Sequence, residues 1–135
     1  MRMNFISLLF AFTLFLPNES SEGESSTEMY DVIEVTATTY SPSVKETDST
    51  PLVTASGFKI NPKNPKRHRI IAVSRDLKKK YKFGTKVKVS GAGKYNGEYV
   101  VRDVMNKRYK KRIDILIGRK DKQTKLKNVK IRRVS

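Results

Sequence analysis

The segment TKVKVSGAGKYNGEYVVRDV, residues 85–104, constrains the fold of this chain more than any other. In TKVKVS, Lys86 and Lys88 alternate with Val87 and Val89, the pattern of a strand with one wet face and one buried face. A glycine-rich turn follows, and its Asn96-Gly97 step is a hairpin signal leading into the apolar run EYVVRDV. A hairpin leaves two open edges that need partners. The rest of the chain offers short runs of the same kind: DVIEVTATTY (31–40), RIIAVS (69–74), RIDILIG (112–118) and NVKIRRVS (128–135). Loops rich in Ser, Pro, Asn or Lys separate them at 41–51, 61–68 and 105–111, and LVTASGFKI (52–60) reads as extended or mixed. The polar stretch RKDKQTKLK (119–127) could make a short helix. Five to six short strands with little helix and no internal repeat predict a mostly β fold, a small six-stranded barrel with one or two short helices.

With 135 residues the chain has room for one domain and not comfortably for two. Its start, MRMNFISLLFAFTLFLPNESSEGESSTE, carries one Arg, an apolar-leaning run from Phe5 to Leu16, then Pro17 and a polar tract. That run falls short of the about 20 residues a bilayer span requires, but it suits a secretory signal. The expected organisation is therefore an export signal over 1–20, a polar linker over 21–30 and the barrel over 31–135, with no stable membrane span. The region around residue 20 lacks a clear small-x-small cleavage pattern, so an uncleaved anchor stays open. The expected location is periplasmic or extracellular.

Charge is unevenly distributed. Formal charge is −6 over residues 1–58 and +22 over residues 59–135, making the +16 of the whole chain. Such a polycation attracts nucleic acid, anionic lipid or an acidic wall polymer. Export argues against nucleic acid, and the cations are scattered through β-like runs without recognition-helix or zinc-finger spacing. The absence of cysteine removes disulfides, thiolate metal sites and a cysteine nucleophile. The single histidine, His68, argues against a histidine metal centre or a Ser-His-Asp triad, and its basic loop is expected to be exposed. No cofactor and no metal are implied.

Against this basic background two acids stand out. Asp103 in EYVVRDV and Asp114 in RIDILIG lie eleven residues apart, each inside an apolar strand pattern where aspartate is disfavoured. A period of two places Tyr99, Val101 and Asp103 on one face of the first strand and Glu98, Val100 and Arg102 on the other. In the second, Arg112, Asp114 and Leu116 face away from Ile113, Ile115 and Ile117. Two close carboxylates would repel and keep one protonated near neutral pH, available as an acid. Alternatively each pairs with a neighbouring Arg or Lys at the barrel rim.

The series VTATTYSP, TASG, IAVS, FGTKVKV, VVRDV and RIDILIG, in that order over residues 33–134, resembles the three-aspartate (3D) domain. That domain is a double-psi β-barrel found in stationary-phase muralytic proteins and in membrane-bound lytic transglycosylase A. The resemblance implies that Asp103 matches the acid of the DTGG strand and Asp114 the one usually cast as catalytic. It also matches Tyr40 to the tyrosine of TAY, and Thr54 and Gly57 to a Thr-x-x-Gly pair, as substrate-binding positions. Two departures stand out: Ser74 occupies the position of the first family aspartate, and DVMN replaces DTGG. Asp76, two residues on, could take over from Ser74, or could begin a turn ahead of LKKKY.

The implied activity is lytic cleavage of the β-1,4 link between N-acetylmuramic acid and N-acetylglucosamine in peptidoglycan, leaving a 1,6-anhydro end. Asp114 would be the acid and base, and Asp103 would tune it. Tyr40, Thr54 and Ser74 would bond sugar hydroxyls or acetamido groups. The glycan strand is the implied partner, with anionic wall polymer a possible second one. Two alternatives remain at this point: a non-catalytic wall-binding barrel, favoured by Ser74, and a basic nucleic-acid-binding barrel, favoured by charge.

Overall fold

The computed structural model describes residues 31–42 and 52–134. The proposed signal and the linker lie outside the described residues. Among the described residues the strands are six: β1 (Ile33–Tyr40), β2 (Ile70–Val73), β3 (Lys86–Ser90), β4 (Gly97–Val104), β5 (Arg112–Leu116) and β6 (Lys125–Arg133). They close into a barrel in the order β1-β5-β2-β4-β3-β6. The pairs β1/β5 and β2/β4 are parallel and the other four antiparallel. Closure satisfies every strand edge at once, which is how a small β domain avoids an exposed template for aggregation. The expected mostly β, six-stranded barrel is thus the observed one.

Alternation drives the barrel interior. Val35 and Ala37 of β1, Ile71 and Val73 of β2, Val87 and Val89 of β3, Tyr99 and Val101 of β4, Ile113 and Ile115 of β5, and Val129 and Ile131 of β6 pack into one core. Lys86 and Lys88 are exposed, as the period of two in β3 requires. β2 is buried on both faces. Its inward Ile71 and Val73 join the central core, while its outward Ile70 and Ala72 lie under a second apolar cluster with Tyr40, Ile60, Met105 and Leu116. Leu52, Phe58 and Tyr109 cover that cluster from the connecting segments. The barrel's outer surface on this side is therefore packed, and it is where the acids emerge.

Four local features differ from the sequence pattern. The stretch 119–127 forms no helix: the Asp121 carboxylate accepts the Gly118 N–H at 2.9 Å, closing a turn, and β6 begins at Lys125. Among the described residues the helical elements are short 3-10 turns at Pro65–His68, Arg75–Leu77 and Gly93–Tyr95. The β3–β4 hairpin exists, but the 3-10 turn reverses the chain and Gly97 is already in strand, paired with Val89. Gly97 is required there because φ is +139° and a Cβ would meet the Arg69 guanidinium at 2.5 Å. His68 is half-buried rather than exposed: its Nε2 accepts the Asn61 N–H at 2.9 Å, and its ring meets Phe58 edge-on.

The fourth difference matters most. Ile71 aligns with Val101, but the next residue of β2, Ala72, aligns with Asp103. β4 therefore carries a bulge at Arg102, and one extra residue inverts the alternation beyond it. Asp103 does not share the inward face of Tyr99 and Val101; it points outward beside Ala72. The Arg102 carbonyl accepts the Ser56 N–H at 3.1 Å, and the Arg102 guanidinium lies over Phe58, 5.1 Å from the ring centroid. The bulge thus anchors the 52–60 segment over the outer cluster.

Candidate functional site

One row of residues across four adjacent strands forms the floor of the site. Thr38 of β1 aligns with Asp114 of β5, Asp114 with Ala72 of β2, and Ala72 with Asp103 of β4. Aligned residues on neighbouring strands face the same way, so all four project from the barrel's outer surface. Two inter-strand spacings separate the backbones of the acids, about 10 Å. Between them stands only the methyl group of Ala72, which leaves open the space that a larger side chain would fill.

Several donors converge on Asp103. Its Oδ1 accepts the backbone N–H of Ala55 at 2.9 Å and of Val104 at 3.0 Å, and its Oδ2 accepts the Tyr40 hydroxyl at 3.4 Å. Donors converging in this way suit a carboxylate anion. The Oδ1 of Asp114 accepts the Thr38 hydroxyl at 2.9 Å. Tyr40 is buried, and that burial, followed by the negative charges of Asp103 and Asp114 and the hydrogen bond to Asp103, raises its hydroxyl well above the ordinary 10.0. It is therefore a neutral donor at neutral pH. Both acids act on this one phenol, which links the two halves of the row.

These residues line a cavity of about 940 Å³, together with Thr54, Ala55, Met105, Asn106, Tyr109, Gln123 and three arginines, Arg75, Arg108 and Arg112. The volume is at the upper end of the range for small-molecule sites and accommodates a ligand larger than a single sugar ring.

Of the seven residues singled out from the sequence, the structure brings four together: Asp103, Asp114, Tyr40 and Thr54 all line the cavity. Thr54 is also a loop pin, its Oγ1 accepting the Phe58 N–H at 3.1 Å and sharing a hydrogen bond with Ser56 Oγ at 3.0 Å. Gly57 is exposed, with φ +87° in a turn whose N–H donates to the Thr54 carbonyl at 2.9 Å. Gly57, Ser74 and Asp76 are not among the lining residues.

Ser74 and Asp76 instead fix the start of β5. The Ser74 Oγ accepts the Arg112 N–H at 3.0 Å, and the Ser74 N–H donates to the Arg112 carbonyl at 2.9 Å. Asp76 Oδ2 accepts the N–H of Lys111 at 2.9 Å, a residue in left-handed backbone at φ 45°. Burial raises the Asp76 carboxyl, but hydrogen bonds from Ser74, from the Lys111 N–H and from its own N–H, together with the Lys110 charge, outweigh it and leave the group below 3.8. This clasp sits two residues before Asp114 and sets where that side chain emerges.

Sequence reasoning missed Thr38, Ala72 and the arginine wall. Thr38 shares a face with Tyr40 by the period of two, a usable signal once β1 is known to pair with β5 in parallel. No family model and no curated protein matches the chain. Among the described residues no helix is long and apolar enough to cross a membrane.

Proposed function

We propose that this protein is an exported, peptidoglycan-active barrel of the three-aspartate type that cleaves the glycan as a lytic transglycosylase. The observation that carries the reading is the row Thr38–Asp114–Ala72–Asp103 in a cavity that Tyr40 also lines. Support also comes from the order of the motifs in the sequence and from the six-stranded barrel on which they fall.

The proposed reaction needs one proton moved twice. Asp114, protonated, donates to the glycosidic oxygen as the bond to C1 of the muramoyl residue breaks. The resulting carboxylate then takes the proton from the C6 hydroxyl as that oxygen bonds to C1, closing the 1,6-anhydro ring and restoring the acid. No water is consumed. Ordinary glycosidases use two carboxylates because water or an enzyme nucleophile must also be activated, and an internal nucleophile removes that demand. Asp103, held as an acceptor by Ala55, Val104 and Tyr40, contributes negative charge that favours the protonated form of Asp114 and the oxocarbenium character of the transition state. Thr38 orients Asp114 from the other side.

Digestion of purified sacculi with the protein tests this. The expected products are anhydro-muropeptides, and Asp114→Asn abolishes them while binding to sacculi persists. Products with reducing ends would instead mark a hydrolase. Binding without release, from a protein whose Asp114→Asn variant behaves identically, would mark a wall-binding barrel. That second reading is favoured by Ser74, which stands at the first family aspartate and serves here to hold β5.

A further inference from the structure

One wall of the cavity is basic in a way that the two-acid mechanism does not use. Arg75, Arg108 and Arg112 all line it, with Tyr109 and Asn106 between them in the sequence or beside them in the fold. Their guanidinium groups are organised by neighbours. The Arg75 Nε donates to the Met105 carbonyl at 3.2 Å. The Tyr109 ring takes two cations, Arg112 at 4.6 Å and Arg108 at 4.8 Å from its centroid, and Arg108 Nη2 donates to the Tyr109 hydroxyl at 2.7 Å. The ion pair seen among the described residues, Lys66–Asp121, lies outside this wall.

Three guanidinium groups along one wall repel one another, and packing on an aromatic ring holds them in place without neutralising them. Arginine's planar fork matches a carboxylate in bidentate fashion, which a lysine does not. Arg112 shares the outward face of β5 with Asp114, two residues away, so an anion held here lies next to the sugar on which Asp114 acts. The muramoyl residue carries its acidic group on the arm at C3, close to C1. That group is the lactyl carboxylate on a bare strand, and a stem-peptide carboxylate where the lactyl group is amidated.

We propose that Arg75, Arg108 and Arg112 form a carboxylate subsite that reads the acidic arm of the muramoyl residue and sets which glycans enter the cavity. This rests on the peptidoglycan reading and adds a selectivity to it. Neutral glycans of the same backbone, which lack the arm, lose the contact.

The test uses the full chain carrying Asp114→Asn, so that ligands are bound without turnover, and calorimetry with three glycans: strands stripped of peptide, strands bearing stem peptides, and chitohexaose. Charge-assisted hydrogen bonds of this kind predict at least about tenfold weaker binding of chitohexaose than of the better acidic strand. Tighter binding of stripped strands assigns the lactyl carboxylate, and tighter binding of peptide-bearing strands the stem peptide. Arg108→Gln, at an exposed position, and Arg112→Gln should each shrink the ratio between the affinities for acidic and neutral glycans. Amidating the lactyl groups of the stripped strands removes the same charge from the ligand side without touching the protein's fold. If all three glycans bind alike, the subsite is wrong and the peptidoglycan reading stands; if none binds, both fall.

Discussion

Ala72 determines what the acids on either side of it can do. It is buried, it belongs to the outer apolar cluster, and its register partners are Asp114 on one flank and Asp103 on the other. A leucine at this position would fill the floor of the cavity at a cost of about 1–3 kcal/mol in stability, the usual range for overpacking. Ala72→Leu should therefore melt cooperatively at a lower temperature while releasing no muropeptides from sacculi. Full activity in a folded Ala72→Leu protein would show that the chemistry lies elsewhere. Tyr40 complements Ala72: its phenol, kept neutral by burial and by the two carboxylates, is a donor that does not titrate in the working range.

At the scale of the element, the bulge in β4 decides the site. Were Arg102 an ordinary strand residue opposite Ala72, strict alternation would carry Asp103 into the barrel interior beside Tyr99 and Val101, where a carboxylate has no water. Deleting Arg102 removes the bulge but leaves Asp103 directly after Val101, still opposite Ala72 and outward, so the loss is only that of the Arg102 contacts to Ser56 and Phe58, about 1–2 kcal/mol, read as a shift of the urea midpoint. An unchanged midpoint would mean that the bulge's hold on the 52–60 segment adds nothing to stability. This element also marks the limit of what the sequence discloses. β3 and β5 alternate without interruption, so the outward direction of Asp114 is legible from RIDIL alone. Nothing in EYVVRDV announces a bulge, because an inserted Arg between Val101 and Asp103 is indistinguishable from ordinary alternation until the partner strand is known. The same holds for Ser74 and Asp76, whose hydrogen bonds to the start of β5 cannot be read from the sequence. The arginine wall was hidden differently: three cations among 29 Lys and Arg carry no signal until the fold gathers them.

The whole molecule is a polycation with few acids, so each acid matters to its pH response. Asp76 and Asp121 both lie below their ordinary 3.8: Asp76 because its hydrogen bonds outweigh burial, Asp121 through the Gly118 N–H first and Lys66 after it. Lowered folded values mean that their stabilisation is present above about pH 4 and disappears as pH falls through the folded values. Protonation also removes negative charge from a chain already at +16, adding repulsion in the same direction. Thermal melts should hold steady from pH 7 to about 5 and decline below about 4, with Asp76→Asn lowering the neutral-pH melting temperature and flattening that acid slope. An Asp76→Asn protein with the wild-type acid profile would remove the clasp from this account. The row of four on the outer surface has one last implication. Because backbone ladders, not side-chain packing, space Asp114 from Asp103, their separation changes only in whole-strand increments, so inhibitors should be stiff scaffolds whose two polar ends are matched to that fixed span.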